Sequence, residues 1–311
     1  MSIDLQKLPY LAQKEVLSTM KLKEIFKLAT LSKKNARLVK DCMSSQRFIL
    51  TIFCTDDDWN IKREHEFYSE YTSIQCDENG IFLDKTVYEE LEFIVDVFNK
   101  PKICINVQED MEKFNNYARF LRTLGVNLFE VKVNRCKQGE LQNMLETFKE
   151  VPEVHIYSCE LEEVIQFDKT IRYQFDFIGL SIDRFADVKW QRDVIFSLID
   201  CKRVLINRNS HRLLGNLIPV QDLKAFLELW MEGSRMEYFW TTAFDLSNFS
   251  TILKSLGQLV PVKAIYHFNG FEKRKQEFNG WQCYMIQQKN NGPKAIVFKF
   301  HNSVQLETDF E

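Results

Sequence analysis

The chain has 311 residues, of which 45% are hydrophobic and 27% charged. That is the composition of a globular protein long enough to bury a sizeable core without disulfide or metal staples. A net charge of −3 excludes a strongly basic nucleic-acid binder. The charge is uneven, however: residues 1–50 hold ten Lys/Arg against four Asp/Glu, a net of +6, which leaves −9 on the remainder. A basic head on an acidic body points to an acidic partner for the head.

No run approaches the roughly 18 apolar residues of a membrane span, and the opening MSIDLQKLPYLAQKEVL lacks the apolar region of a signal peptide. Eight cysteines are dispersed with no Cys-x-x-Cys pair, a pattern that suits reduced thiols. The expected location is the cytoplasm, the nucleus or both, away from membranes.

Residues 5–45 read as helices. Leu8, Leu11, Val16, Leu17, Met20, Ile25, Leu28, Leu31 and Leu38 recur at spacings near three and four. Pro9 suits a helix start, where its missing N–H costs little, and Lys21–Lys23 breaks the apolar run. From 47 to 85 the pattern becomes short strands joined by turns. Arg47–Cys54 is β-branched and aromatic, Asp56–Asp58 follows it, a second polar-aromatic segment runs to Tyr71, and Asp77-Glu78-Asn79-Gly80 precedes Ile81–Leu83.

From about 86 the chain alternates. Helical stretches at 87–98, 112–124, 140–149, 190–200, 221–232 and 249–256 are separated by apolar segments. These are Ile103–Val107, Phe129–Val133, Val154–Tyr157, Phe177–Ile182, Val204–Asn207, Glu237–Thr241 and Val262–Phe268. Strand–helix–strand alternation predicts parallel pairing through helical crossovers. Four segments also fit the leucine-rich repeat L-x-x-L-x-L-x-x-N/C: Leu128/Val131/Val133/Cys136, Val151/Val154/Ile156/Cys159, Phe177/Leu180/Ile182 with Phe185 in the last place, and Cys201/Val204/Ile206/Asn209. The match fades after 209. Strands centred near Val131, Ile156, Leu180 and Leu205 are therefore expected side by side, with helices outside. The expected fold is α+β overall: a three-helix segment at 1–46, a β-rich connection at 47–85, and a leucine-rich-repeat-like α/β domain at 86–311.

No catalytic, metal or cofactor site is read from the chain. The five histidines show no metal-ligand spacing, and Asp56–Asp58 lacks the EF-hand series. Phosphate-binding and nucleophile-elbow glycine motifs are absent. Cys136, Cys159 and Cys201 have no local base and are explained by their repeat positions.

Leu8-Pro9, the apolar pair Val16-Leu17, Met20, the acidic–apolar pair Glu24-Ile25, Leu28, and Leu31-Ser32-Lys33 occupy in order the places of an F-box. Asn35 departs from that pattern, standing where an aromatic often follows the basic pair. The chain as a whole resembles the nematode family of F-box proteins carrying the second type of F-box-associated domain. That likeness rests on Leu8-Pro9-Tyr10-Leu11 and on Leu223-Lys-Ala-Phe-Leu-Glu-Leu-Trp230-Met-Glu-Gly233. The resemblance implies an adaptor without catalysis, the substrate receptor of a Skp1–cullin–F-box ubiquitin ligase. A Skp1-like partner, and through it a cullin, would be held by Leu8, Pro9, Val16, Leu17, Met20, Ile25, Leu28 and Leu31. A repeat-type interaction module acting without any ligase is the alternative.

The protein substrate is expected on the outward side of the repeat strands, because side chains alternate between faces. With Val131 and Val133, Val154 and Ile156, Leu180 and Ile182, and Val204 and Ile206 facing the core, the candidate substrate-binding residues are Lys132, His155, Tyr157, Ser181, Arg203 and Leu205. Loops around Trp281 are an alternative place.

Overall fold

A computed structural model of the protein describes residues 5–55, 57–64, 85–108, 110–160, 166–183, 185–209, 216–259, 265–269, 272–276 and 283–310. The chain divides into two compact units, 1–132 and 133–311, so the expected line at 86 falls inside the first.

After a single 3-10 turn at Leu5–Lys7, the first unit opens with three helices: α1 (Tyr10–Thr19), α2 (Leu22–Thr30) and α3 (Lys33–Met43). Strands β1 (Phe48–Phe53) and β2 (Asp58–Arg63) form an antiparallel hairpin with Phe53 opposite Asp58. Asp57 takes φ 52° in that turn. Its carboxylate accepts a hydrogen bond from the Tyr117 hydroxyl at 2.8 Å and one from Lys113 Nζ at 3.1 Å. The described part of the acidic cluster is thus a pinned hairpin turn. The polar-aromatic segment to Tyr71, the Asp77–Gly80 turn signal and Ile81–Leu83 lie outside the described residues, apart from the end of β2.

Helix α4 (Val87–Val97) starts in a capping box made by Thr86 and Glu89, which satisfies two helix-end donors at once. It leads to β3 (Lys102–Val107), parallel to β1 with Leu50 opposite Ile103. Next come α5 (Met111–Thr123), capped by Asp110, and β4 (Leu128–Val133), which lies beside β3. Leu50, Ile52, Ile103, Ile105 and Val131 are buried. This is a strand–helix–strand arrangement with the crossovers the sequence predicts.

In the second unit β5 (Cys136–Lys137), α6 (Gln138–Thr147), β6 (Glu153–Glu160), β7 (Phe177–Asp183), α7 (Val188–Ser197), β8 (Arg203–Asn209), α8 (Val220–Met231) and β9 (Tyr238–Thr241) follow one another. β6, β7, β8 and β9 are consecutive parallel neighbours: Ile156 stands opposite Leu180, Leu180 opposite Ile206, and Ile206 opposite Thr241. The repeat's cysteine positions align as well, Cys136 beside Cys159. Val154, Ile156, Ile178, Leu180, Ile182, Val204 and Ile206 are buried. Helix α8 packs on this side, its Phe226 ring 4.7 Å from that of Phe239, which sits opposite Val204. The Leu223–Gly233 stretch is therefore a core helix, with Leu223, Phe226, Leu227 and Trp230 all buried.

Among the described residues the parallel repeat pattern stops at β9, and no clear leucine-rich-repeat solenoid is shown along 86–311. After α9 (Phe249–Leu253) and β10 (Gln258–Leu259), strands β11 (Ile265–Asn269) and β12 (Glu272–Gln276) make a separate antiparallel hairpin. The apolar segment at 262–268 is thus one arm of a hairpin where it is described. Strands β13 (Cys283–Gln287), β14 (Lys294–Phe300) and β15 (Ser303–Glu307) then add antiparallel to β9 in the order β15, β14, β13, β10. The links from β13 to β14 and from β14 to β15 are too short for a parallel crossover, which needs a dozen or more residues, so these neighbours are antiparallel. Asn290 and Asn291 take φ 57° and 59° between β13 and β14, the left-handed pair that a tight hairpin requires.

Arg235 closes one end of the parallel strands. Its Nε donates to the Asp200 carbonyl at 2.7 Å, and its Nη2 donates to the carbonyls of Phe175 (2.8 Å) and Gln174. Hydrogen bonds from a charged donor contribute about 1.5–3 kcal/mol each at best. Replacing Arg235 with Met, which keeps the apolar stem and removes the donors, is expected to destabilise the second unit by about 2–3 kcal/mol. Urea denaturation checks this, and an unchanged midpoint would mean water replaces the guanidinium without cost.

Candidate functional site

The three N-terminal helices are short, and each start has a local cause. Pro9 precedes α1 with φ −57°. At the start of α2 the Glu24 carboxylate accepts the Lys21 backbone N–H at 3.1 Å. Ser32 caps α3 by accepting the Asn35 N–H at 3.1 Å. Asn35, the departure from the F-box pattern, also accepts the Gln6 side-chain amide at 2.5 Å. Gln13 in turn donates to the Leu8 carbonyl at 2.9 Å.

Helices this short cannot bury all of their apolar residues, and the structure divides them. Leu17, Leu22, Ile25, Phe26, Ala29, Val39, Cys42 and Met43 are buried. Phe26 is the keystone of this inner face. Its ring lies 5.6 Å from Trp59, 6.0 Å from Phe93 and 6.3 Å from Phe98. Trp59 is itself fixed, its indole N–H donating to Glu90 at 2.7 Å. The helices thus share one core with β2 and α4, within the first unit.

The outward set differs in part from the expected one. Leu11 is 77% exposed, Leu31 74%, Tyr10 51% and Val16 39%. Pro9 is exposed, while Leu8, Met20 and Leu28 are half-buried. Leu17 and Ile25, expected at the partner surface, are 0% exposed and fix the helices from below. Leu11 and Tyr10 belong to the Leu-Pro-Tyr-Leu opening, which the sequence already singles out.

The second candidate surface lies on the second unit, on the sheet side away from Val154, Ile156 and Leu180. His155 is buried, its ring 4.7 Å from Phe177 and 6.1 Å from Tyr157. Arg203 donates to Glu153 at 3.0 Å and lies 5.3 Å from the Phe177 ring. A Cβ on Gly179 would come 3.1 Å from Phe177 Cε1 and 3.4 Å from His155 Nδ1, so the glycine makes room for two rings over the strand. Leu205 stands opposite Gly179 in the register and is half-buried, as is Ser181. Tyr157 is 51% exposed. The structure brings these five residues onto one face and adds Phe177, which the sequence places at the leading apolar position of a repeat. Lys132 belongs to the first unit, where it pairs with Glu130 at 3.1 Å. Trp281 lies outside the described residues.

Four buried thiols are shifted away from nucleophilic reactivity. Burial pushes the Cys54 thiol up to about 11, and the Cys104, Cys201 and Cys283 thiols up to about 12. A reactive thiol needs a shift in the other direction. Among the described residues, no helix is long and apolar enough to cross a membrane.

Comparison with known proteins gives one result. Residues 5–46 match the family model of the F-box domain. No curated protein and no solved structure matches the chain. The matched span covers the 3-10 turn and all of α1, α2 and α3, together with their exposed apolar residues. The N-terminal segment of this protein, residues 5–46, is an F-box domain.

Proposed function

We propose that this protein is the substrate receptor of a Skp1–cullin–F-box ubiquitin ligase, a non-catalytic adaptor that holds a Skp1-like protein through residues 5–46 and a protein substrate through the second unit. An F-box domain supports an adaptor role of this general kind. The observation that carries the finer reading is the division of the F-box side chains. Leu17, Ile25 and Phe26 anchor the helices, while Pro9, Tyr10, Leu11, Val16 and Leu31 are left facing solvent. Such side chains are what a partner covers. The assignment to an F-box family with a dedicated associated domain, and to cytoplasm or nucleus, goes with this reading.

Co-purification with a Skp1-like adaptor tests it. Replacing Leu8 and Pro9 together with Ala is expected to weaken adaptor binding at least tenfold, about 1.4 kcal/mol, with the second unit still folded. A wild-type chain that binds no Skp1-like protein overturns the reading and leaves an interaction module outside any ligase. Normal binding by the double variant removes Leu8 and Pro9 from the contact.

The substrate is assigned to the sheet face carrying His155, Tyr157, Ser181, Arg203 and Leu205. Tyr157 is the cleanest probe because it is exposed, whereas Arg203 is committed to Glu153 and His155 is packed on Phe177. Once a co-purifying protein is in hand, Tyr157→Ala is expected to reduce its capture about tenfold, the loss typical of an aromatic contact, without altering adaptor binding. Unchanged capture would move the substrate site elsewhere.

A further inference from the structure

Resting on the F-box reading above, we propose that the adaptor face that docks on this F-box is acidic, and that the lysines surrounding the exposed apolar side chains steer the encounter rather than hold the complex. Residues 5–46 contain nine Lys/Arg and three Asp/Glu, a net of +6 in a chain whose total is −3. One of the nine, Lys40, is engaged with Asp96. Lys14, Lys21, Lys27, Lys33 and Lys34 make no ion pair with any described residue. Of the three acidic side chains, Glu24 is occupied by its capping bond to the Lys21 N–H.

Placement matters as much as number. Lys14 lies three and four residues after Leu11 and Tyr10 on α1, and Lys27 lies four residues before Leu31. Residues so spaced share one side of a helix. Lys34 follows Leu31 by three residues at the start of α3. Positive charge therefore borders the most exposed apolar residues of the domain. Its field reaches about 8–10 Å at ordinary ionic strength, enough to act on a partner before contact. Such steering raises association rates by about 10- to 1000-fold and leaves dissociation, set by the buried contacts, nearly unchanged.

Stopped-flow or surface-based kinetics of the full chain with a purified Skp1-like adaptor tests this. The association rate of the wild type is expected to fall at least tenfold between about 20 mM and 500 mM salt, with the dissociation rate constant within twofold. Lys14→Glu, Lys27→Glu and Lys34→Glu combined should lower the low-salt association rate at least tenfold and bring the two proteins together at high salt. Lys→Arg at the same positions should restore wild-type kinetics, which separates charge from folding damage. An association rate indifferent to salt and to charge reversal overturns the steering while leaving the F-box reading intact. Absence of any adaptor binding by the wild type overturns both. Sedimentation with vesicles of anionic phospholipid supplies the competing outcome. Capture of the wild type by vesicles, lost on charge reversal while adaptor kinetics stay unchanged, would give the lysines to a lipid surface and overturn the proposal.

Discussion

Replacing Phe26 with Ala is expected to lower the stability of the first unit by about 3–5 kcal/mol, the range for deleting a fully buried aromatic ring. The ring is completely buried and meets the aromatic rings of Trp59, Phe93 and Phe98. Phe98 is held in turn by Phe48 at 4.8 Å. Edge-to-face and stacked pairs add about 0.5–1.5 kcal/mol each beyond the area they bury. Collapse into the space is resisted, because Trp59 is tied to Glu90 through its indole N–H and cannot slide inward without breaking that buried hydrogen bond. The cavity therefore persists, and a persisting cavity is what makes such truncations costly. Denaturant unfolding followed by far-UV circular dichroism measures the loss. Phe26→Leu, which refills most of the volume, should recover more than half of it. A cost below about 1 kcal/mol for Phe26→Ala, the size of an ordinary surface change, would mean that the F-box helices do not depend on this core.

Much of this architecture is legible in the sequence, for a local reason. The helices expected at 87–98, 112–124, 140–149 and 221–232 form at Val87–Val97, Met111–Thr123, Gln138–Thr147 and Val220–Met231, because apolar spacing and capping residues act within one or two turns. The strands around Ile156, Leu180 and Leu205 pair as their shared pattern predicts. What local spacing cannot give is which side of an amphipathic helix faces inward when two sides are apolar. Val16 and Leu17 are adjacent and chemically alike, yet one is 39% exposed and the other buried. Phe26 escaped notice because its partners lie 33 to 72 residues further along the chain. The C-terminal hairpins had a readable signal: Asn290-Asn291-Gly292 stands between two β-rich runs. A repeat of 23 to 26 residues passes over it, since hairpin strands recur at shorter spacing. On the sheet face, alternation places Tyr157 and Leu205 outward, but it cannot show that His155 is covered by neighbouring rings.

Leu11→Asp combined with Leu31→Asp is expected to weaken adaptor binding at least 30-fold, about 2 kcal/mol, with almost no change in folding stability. The two effects separate because the side chains are 77% and 74% exposed in the free chain. They contribute little to the core, and exposed substitutions usually change stability by less than about 0.5 kcal/mol. In a complex the same positions would bring a carboxylate into an apolar contact, where an unpaired charge is strongly disfavoured. Leu17→Ala supplies the opposite control. Leu17 is fully buried, so its truncation should cost about 2–5 kcal/mol of stability and reduce binding only as far as the helices unfold. Measuring the unfolding midpoint and the adaptor dissociation constant on all three proteins therefore distinguishes contact from support. Full binding by the Leu11/Leu31 variant, in a chain that unfolds at the wild-type midpoint, would remove both leucines from the adaptor surface and place the interface elsewhere on residues 5–46.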